Sequence, residues 1–279
     1  MAVMDEFKEE RAKLKEMSLR DKIDHFIYYH KVGIMLTILV IILAGISISS
    51  SLTNKDPALY IALIDCHERD FTGEGTTAYE ESLAHQLNID ADKYSVHLDN
   101  TYYLSSIYMN PEDSLYGSKY TANESAYQLP EILWTRMATG QLDAFVAAEN
   151  YINGWVMNDG FLDLREEMTP EQYEYYKDSF YWIDYDILEN YELDFNEGAF
   201  IYDSNHRSPE GMKNPMPVGV YITPNESFQE HFQFIYAEEV VYCLTYSGQP
   251  EDIAKQTYDG TKLALDYLDI ISGRTAPAN

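Results

Sequence analysis

Ala58-Leu-Tyr-Ile-Ala-Leu-Ile-Asp-Cys66 runs apolar for seven residues before its first charge. It lacks the period-two alternation of a strand with one wet face. The run therefore predicts a strand covered on both sides, as in a sheet flanked by helices. Downstream, Tyr79–Leu87 reads as a helix with Leu83, Ala84 and Leu87 on one side, and Tyr94–Leu98 as a second strand. Asn123–Thr139 is the next helix, with Pro130 near its start and Gly140 at the glycine position that ends helices. Leu142–Ala148 is a third buried strand, and Asn150–Asn158 a short helix closed by Gly160. Thr169-Pro170-Glu171 supplies an N-cap, a proline at N1 and a first-turn acid for a helix running to about Phe180. This strand–helix alternation predicts an α/β domain.

The period then changes. Tyr181–Leu188, Tyr191–Phe195 and Ala199–Asp203 read as antiparallel strands, and Asn205–Pro215 as a polar loop. Val218–Thr223 is another buried strand, ended by Pro224, and a helix near Glu226–Tyr236 precedes the strand Val240–Thr245. Pro250 opens a last helix over Glu251–Ile271. Alternation at both ends with a meander between suggests two α/β lobes.

Upstream, Gly33–Leu52 carries no charge and is fully aliphatic from Leu39 to Leu43. At about 1.5 Å per residue it is long enough to cross roughly 30 Å of hydrocarbon. Lys15, Arg20, Lys22 and Lys31 precede it, whereas Lys55 stands alone after it until Arg69. That asymmetry keeps the N-terminus in the cytoplasm and the C-terminal domain outside. The long charged head and the lack of a clear small-x-small site favour an uncleaved anchor. The expected organisation is a cytoplasmic amphipathic segment (1–32), a transmembrane helix (33–52), a linker (53–57) and an extracellular two-lobed α/β domain (58–279) at the cell membrane.

Residues 1–32 carry seven basic and seven acidic side chains. The rest, with 12 basic and 40 acidic residues, holds the whole net charge of −28. Such a field repels nucleic acid and anionic headgroups, and draws cations or basic surfaces. The 25 tyrosines suit either a recognition surface or half-exposed core positions. Cys66 and Cys243 both fall outside the membrane, where they either pair or stay as buried thiols.

Thr139-Gly-Gln-Leu-Asp-Ala-Phe-Val-Ala-Ala148, followed by Asn158-Asp-Gly-Phe-Leu-Asp-Leu164, resembles extracellular solute-binding proteins of the type 2 periplasmic-binding fold. Gly140, Asp143, Gly160, Leu162, Asp163 and Leu164 occupy the places of that family's crossover-strand motif. Met216–Ile222 is similar to its returning strand, and Val240–Ser247 with the terminal helix to its closing pattern. The head, Lys13 to Lys31, looks like that of membrane-anchored proteins of anaerobic Firmicutes. The resemblance implies two lobes with a ligand cleft between them. The spanning helix departs from the lipid anchor usual for transport receptors, so binding without delivery to an importer is the expectation.

Ligands in open α/β sheets sit outside the strands' carboxyl ends. Asp65, Cys66 and His67 end the first strand there, and Glu149 and Asn150 the third. Tyr102, Tyr103, Tyr181 and Trp182 are candidate aromatic walls. Asp65-Cys66-His67-Glu68 is the densest set of metal-ligand types, but consecutive strand residues alternate faces, so no metal site or cofactor is assigned. The chain lacks G-x-S-x-G, H-E-x-x-H, Walker and G-x-G-x-x-G motifs, so no enzyme activity is expected. The sequence thus reads as a membrane-tethered binding protein for a small solute, sugar or peptide. The alternative is a non-catalytic accessory or sensory subunit that uses the fold to dock a membrane protein partner.

Overall fold

The computed structural model describes residues 18–20, 28, 31–33, 35–43, 55–70, 73–103, 129–156, 160–186, 205–235, 237–246, 254 and 257–274. The chain divides into two compact units, Met1–Lys55 and Asp56–Asn279. In the first, residues 31–33 and 35–43 are helical. Leu36, Ile38, Leu39, Val40, Ile41, Ile42 and Leu43 are all exposed there. Thr37 Oγ1 donates to the Gly33 carbonyl at 2.9 Å, which keeps its hydroxyl satisfied within the helix. No helix among the described residues is long and apolar enough to cross a membrane. Residues 34 and 44–52 of the expected span, and most of the expected cytoplasmic segment, lie outside the described residues.

The second unit is α/β. Its main sheet has six strands: β1 (Asp56–Leu63), β3 (Tyr94–Asp99), β4 (Ala144–Ala147), β5 (Phe180–Asp184), β6 (Pro215–Ile222) and β8 (Val240–Leu244). Their order is β3-β1-β4-β8-β6-β5. β1 pairs in parallel with β3 and β4, and every pairing from β4 to β5 is antiparallel. A separate ribbon joins β2 (Cys66–Glu68) to β7 (Phe232–Phe234). The helices are α1 (Glu74–Gln86), α2 (Leu129–Ala138), α3 (Glu149–Val156), α4 (Leu164–Glu167), α5 (Pro170–Tyr176), α6 (Glu226–His231) and α7 (Gly260–Ile271).

β1 shows why its sequence is apolar throughout. Leu59, Ile61 and Leu63 pack into one cluster with Leu83 of α1 and Leu268 of α7. Tyr60 and Ala62, with Ile64 just beyond the strand, pack into a second cluster with Leu133 of α2 and Ile152 of α3. The sheet is thus buried on both faces, as the unbroken run requires. Cys66 belongs to the first cluster and Cys243 to the second, and both thiols are free.

The Gly140–Asp143 motif has a structural job. Gly140 takes φ +68°, and Gln141 N–H returns to the Arg136 carbonyl at 2.9 Å, closing α2. The fully buried Asp143 then accepts the Tyr60 amide at 2.7 Å, while its own amide donates to the Tyr60 carbonyl at 2.9 Å. Thr169 caps α5 in a reciprocal box with Gln172, with Pro170 at N1.

The elements depart from the sequence expectations at several points, among them Tyr185 and Asp186, which are helical where a strand to Leu188 is expected. The first strand does not continue through Cys66, because Asp65 takes φ +49° and turns the chain into the β2–β7 ribbon. The helix expected over Glu226–Tyr236 stops at His231, and Phe232–Phe234 becomes a strand. A helix also starts at Gly260, capped by Asp259 through the Lys262 amide, inside the single helix expected from Glu251. The strands expected for a second lobe divide. Phe180–Asp184 lies in the main sheet, while Tyr191–Phe195 and Ala199–Asp203 lie outside the described residues.

Candidate functional site

The carboxyl ends of β1, β3, β4 and β6 share one edge of the sheet, and β8, running the other way, begins there. Ile64 N–H bonds the Val146 carbonyl and Asp65 N–H the Tyr102 carbonyl, both at 2.9 Å, so the post-strand segments are laced together. Asp65 itself is only 2% exposed.

One half of this edge is closed upon itself. Tyr60 donates its hydroxyl to Asp99, whose other oxygen accepts the Thr101 hydroxyl at 2.6 Å and amide at 3.0 Å. Burial would raise the Asp99 carboxyl, but the Thr101 and Tyr60 donors outweigh it and hold the group below the usual carboxylate range. The Arg136 guanidinium lies 4.7 Å from the Tyr60 ring centre. Burial and then Asp99 push the Tyr102 phenol up. With its donors and acceptors matched, this network ties β1 to β3 and offers little to a ligand.

The other half is open. Ala147, Val241 and Tyr221 stand side by side across β4, β8 and β6. Glu149 lies two residues past Ala147 at the start of α3, and Glu239 two residues before Val241. The register alone therefore brings both carboxylates to the end of the row that holds Tyr221. Arg207 comes from the loop before β6, with its guanidinium 3.8 Å above the Tyr221 ring, and donates to Glu239. Behind Tyr221, Tyr181 lies 5.7 Å away and stacks on His206 at 4.4 Å and 13°. His206 Nδ1 meets the Trp182 carbonyl at 2.8 Å, which anchors the loop that carries Arg207.

Tyr221 is only 6% exposed, and the Glu149 carboxylate is the acceptor beside its hydroxyl. Burial first, and then the neighbouring Glu149 carboxylate, push its phenol up, so the hydroxyl stays protonated as a donor. Glu149 acts on the hydroxyl both as a hydrogen-bond acceptor and as a charge. The partly exposed guanidinium over the ring, with carboxylates beside it, makes this cluster the candidate contact for a guest.

No family model, characterised protein or solved structure matches the chain. The site's chemistry is therefore read from its own geometry.

The residues singled out from the sequence fall into three groups. Glu149 and Tyr181 join the Tyr221 cluster, with Asn150 exposed beside Glu149. Asp65, Tyr102 and the half-buried Tyr103 lie at the β1–β3 end of the same edge, and the Tyr102 ring is core. Cys66 and Trp182 face the opposite cluster: burial pushes the Cys66 thiol up, and Trp182 packs edge-on against Phe180 at 5.7 Å. His67 is half-buried in the ribbon, and burial, with Arg69, lowers its imidazole. Among the described residues no three His, Cys, Asp or Glu side chains gather to hold a metal.

Sequence reasoning missed Tyr221, Arg207 and Glu239. Two signals were there to use. Tyr221 is the one polar-tipped residue near the end of an otherwise aliphatic buried strand, and Arg207 is a rare cation in a strongly acidic domain.

Proposed function

We propose that this protein is a membrane-tethered extracellular binding protein that takes a small ligand at the carboxyl edge of its sheet. Glu149, Tyr221 and Glu239 are the contact residues, with Arg207 lying over the Tyr221 ring. The observation that carries the reading is the Tyr221 ring, with the Arg207 guanidinium over its face and the Glu149 and Glu239 carboxylates beside it. The uncharged run 33–52, the cations before it and the exposed aliphatic helix 35–43 support the tether and its sidedness. The resemblance to solute-binding proteins supports recognition at strand ends. Its implied mechanism, closure of two lobes, is not needed here, since the contacts come from one sheet. Recognition without chemistry is supported by the thiols, which burial holds protonated in the core.

Thermal unfolding of the full chain in nanodiscs, with amino acids, peptides, amines and sugars added singly, tests this proposal. A ligand at a hundred times its Kd adds about 2.7 kcal/mol. At about 2–4 °C per kcal/mol for a domain of this size, Tm rises by roughly 5–11 °C. The rise should disappear in Y221L, which removes the ring, and shrink in E149Q. If no solute raises Tm while a membrane protein co-purifies stoichiometrically, the docking alternative replaces this reading.

A further inference from the structure

The contacts around Tyr221 also specify what kind of group the site holds, an inference that rests on the binding reading above. One face of the Tyr221 ring carries a guanidinium at 3.8 Å, close enough for a strong cation–π contact. That cation also donates to Glu239, and Glu149 accepts at the ring's hydroxyl. Among the described residues two carboxylates and one guanidinium meet at the ring, in a domain that already carries the chain's whole net charge of −28. Arg207 is a loop residue with its side chain 54% exposed, so little beyond this contact fixes it in place. An exposed ion pair of this kind adds only modestly to stability. A guest cation of similar shape can therefore displace Arg207 at small cost.

We infer that the Tyr221 ring, between Glu149 and Glu239, is a seat for a guanidinium or primary ammonium group, and that Arg207 fills it from within the chain. The ligand is then a small amine or guanidine, or a peptide's lysine or arginine side chain. The acidic surface concentrates such cations near the edge before they dock. Arg207 sets the affinity, because any guest must displace it.

The test removes the internal occupant. In full-length Arg207→Ala in nanodiscs, butylguanidinium should bind at millimolar concentration or better, at least about tenfold tighter than uncharged butylurea and tighter than to the wild-type chain. Glu149→Gln or Glu239→Gln, added to Arg207→Ala, should weaken that binding several-fold, whereas Tyr221→Phe, which keeps the ring, should retain most of it. A short arginine peptide that binds more tightly than butylguanidinium identifies a peptide source, and equal binding identifies a free amine. Equal binding of butylguanidinium and butylurea, or of neither, overturns the inference. If Arg207→Ala does not fold, the same probe pair titrated into wild type gives the same discrimination at lower affinity. A wild-type response to an uncharged solute alone would leave the binding reading standing and remove the cation seat.

Discussion

Asp269→Leu should be among the most damaging single changes in the domain, and its magnitude follows from the contacts. Asp269, on α7, is 4% exposed and accepts both oxygens' worth of Arg274 at 2.9 and 2.8 Å. It also accepts Tyr176 Oη at 2.9 Å and Gln172 Nε2 at 3.2 Å, both from α5. The Arg274 side chain is only 11% exposed. Removing the carboxylate leaves a nearly buried guanidinium without its counter-charge, and an amide without its acceptor. Tyr176 keeps Ser272 at 2.7 Å, so the loss concentrates on Arg274. Breaking a buried pair from one side costs about 3–5 kcal/mol, or roughly 6–20 °C in Tm for a domain this large. Asp269→Leu/Arg274→Met removes both charges and should recover at least half of that loss. Urea unfolding monitored by circular dichroism, with equal m-values across the set, provides the measurement. A single-mutant loss below about 1 kcal/mol would refute the argument. So would a double mutant no better than the single, because the cost would then lie in packing and not in a stranded charge.

Two further outcomes follow from the core and from α1. Glu80 accepts the Leu98 amide at 2.7 Å and lies 3.6 Å from His97 Nδ1. Burial, with help from Glu68 and Asp99, raises its carboxyl to about 7. An acid raised on folding binds more protons in the fold, so its contribution is full near pH 4 and fades as pH climbs toward 7. The stability difference between wild type and Glu80→Gln should therefore fall by on the order of 2–3 kcal/mol from pH 4.5 to 7.5, and a flat difference would sink the assignment. The His97 imidazole, lowered by burial, titrates with the opposite slope, so the comparison is made in a His97→Gln background. Gly219→Ala would set a methyl 2.6 Å from Val241 Cγ1 and 2.8 Å from Cys243 Sγ. This should cost about 1–3 kcal/mol, partly relieved by Val241→Ala; a neutral effect would mean that the β6–β8 contact is slacker than described.

The sequence disclosed what is decided locally. The seven apolar residues from Ala58 announced a doubly covered strand, and Thr169-Pro170 marked a helix start that the capping box explains. Failures came where long-range contacts won. Phe228 and Phe232 are four apart, a helical spacing, yet Phe232 leaves the helix because β2 offers it a strand partner. Asp65 turns the chain aside with a positive φ that its neighbours do not signal. The site divides in the same way. Glu149 was visible because it follows a buried strand. Tyr221 was hidden because a tyrosine among aliphatics reads as core, and Arg207 because its partner Glu239 lies 32 residues away.

The antiparallel strand explains why the seat lies where it does. In an all-parallel sheet this edge would receive only residues that follow strands, as Glu149 follows β4. β8 runs the other way between β4 and β6, so the residues that precede it reach the edge too, and Glu239 is one of them. Among the described residues, the Tyr221 ring is thereby approached by three separate segments of the chain: α3, the Arg207 loop, and the turn into β8. Each brings a charge to one ring. A single loop could carry the same charges, but it would have to order itself around the guest at an entropic cost that strands already fixed in register do not incur.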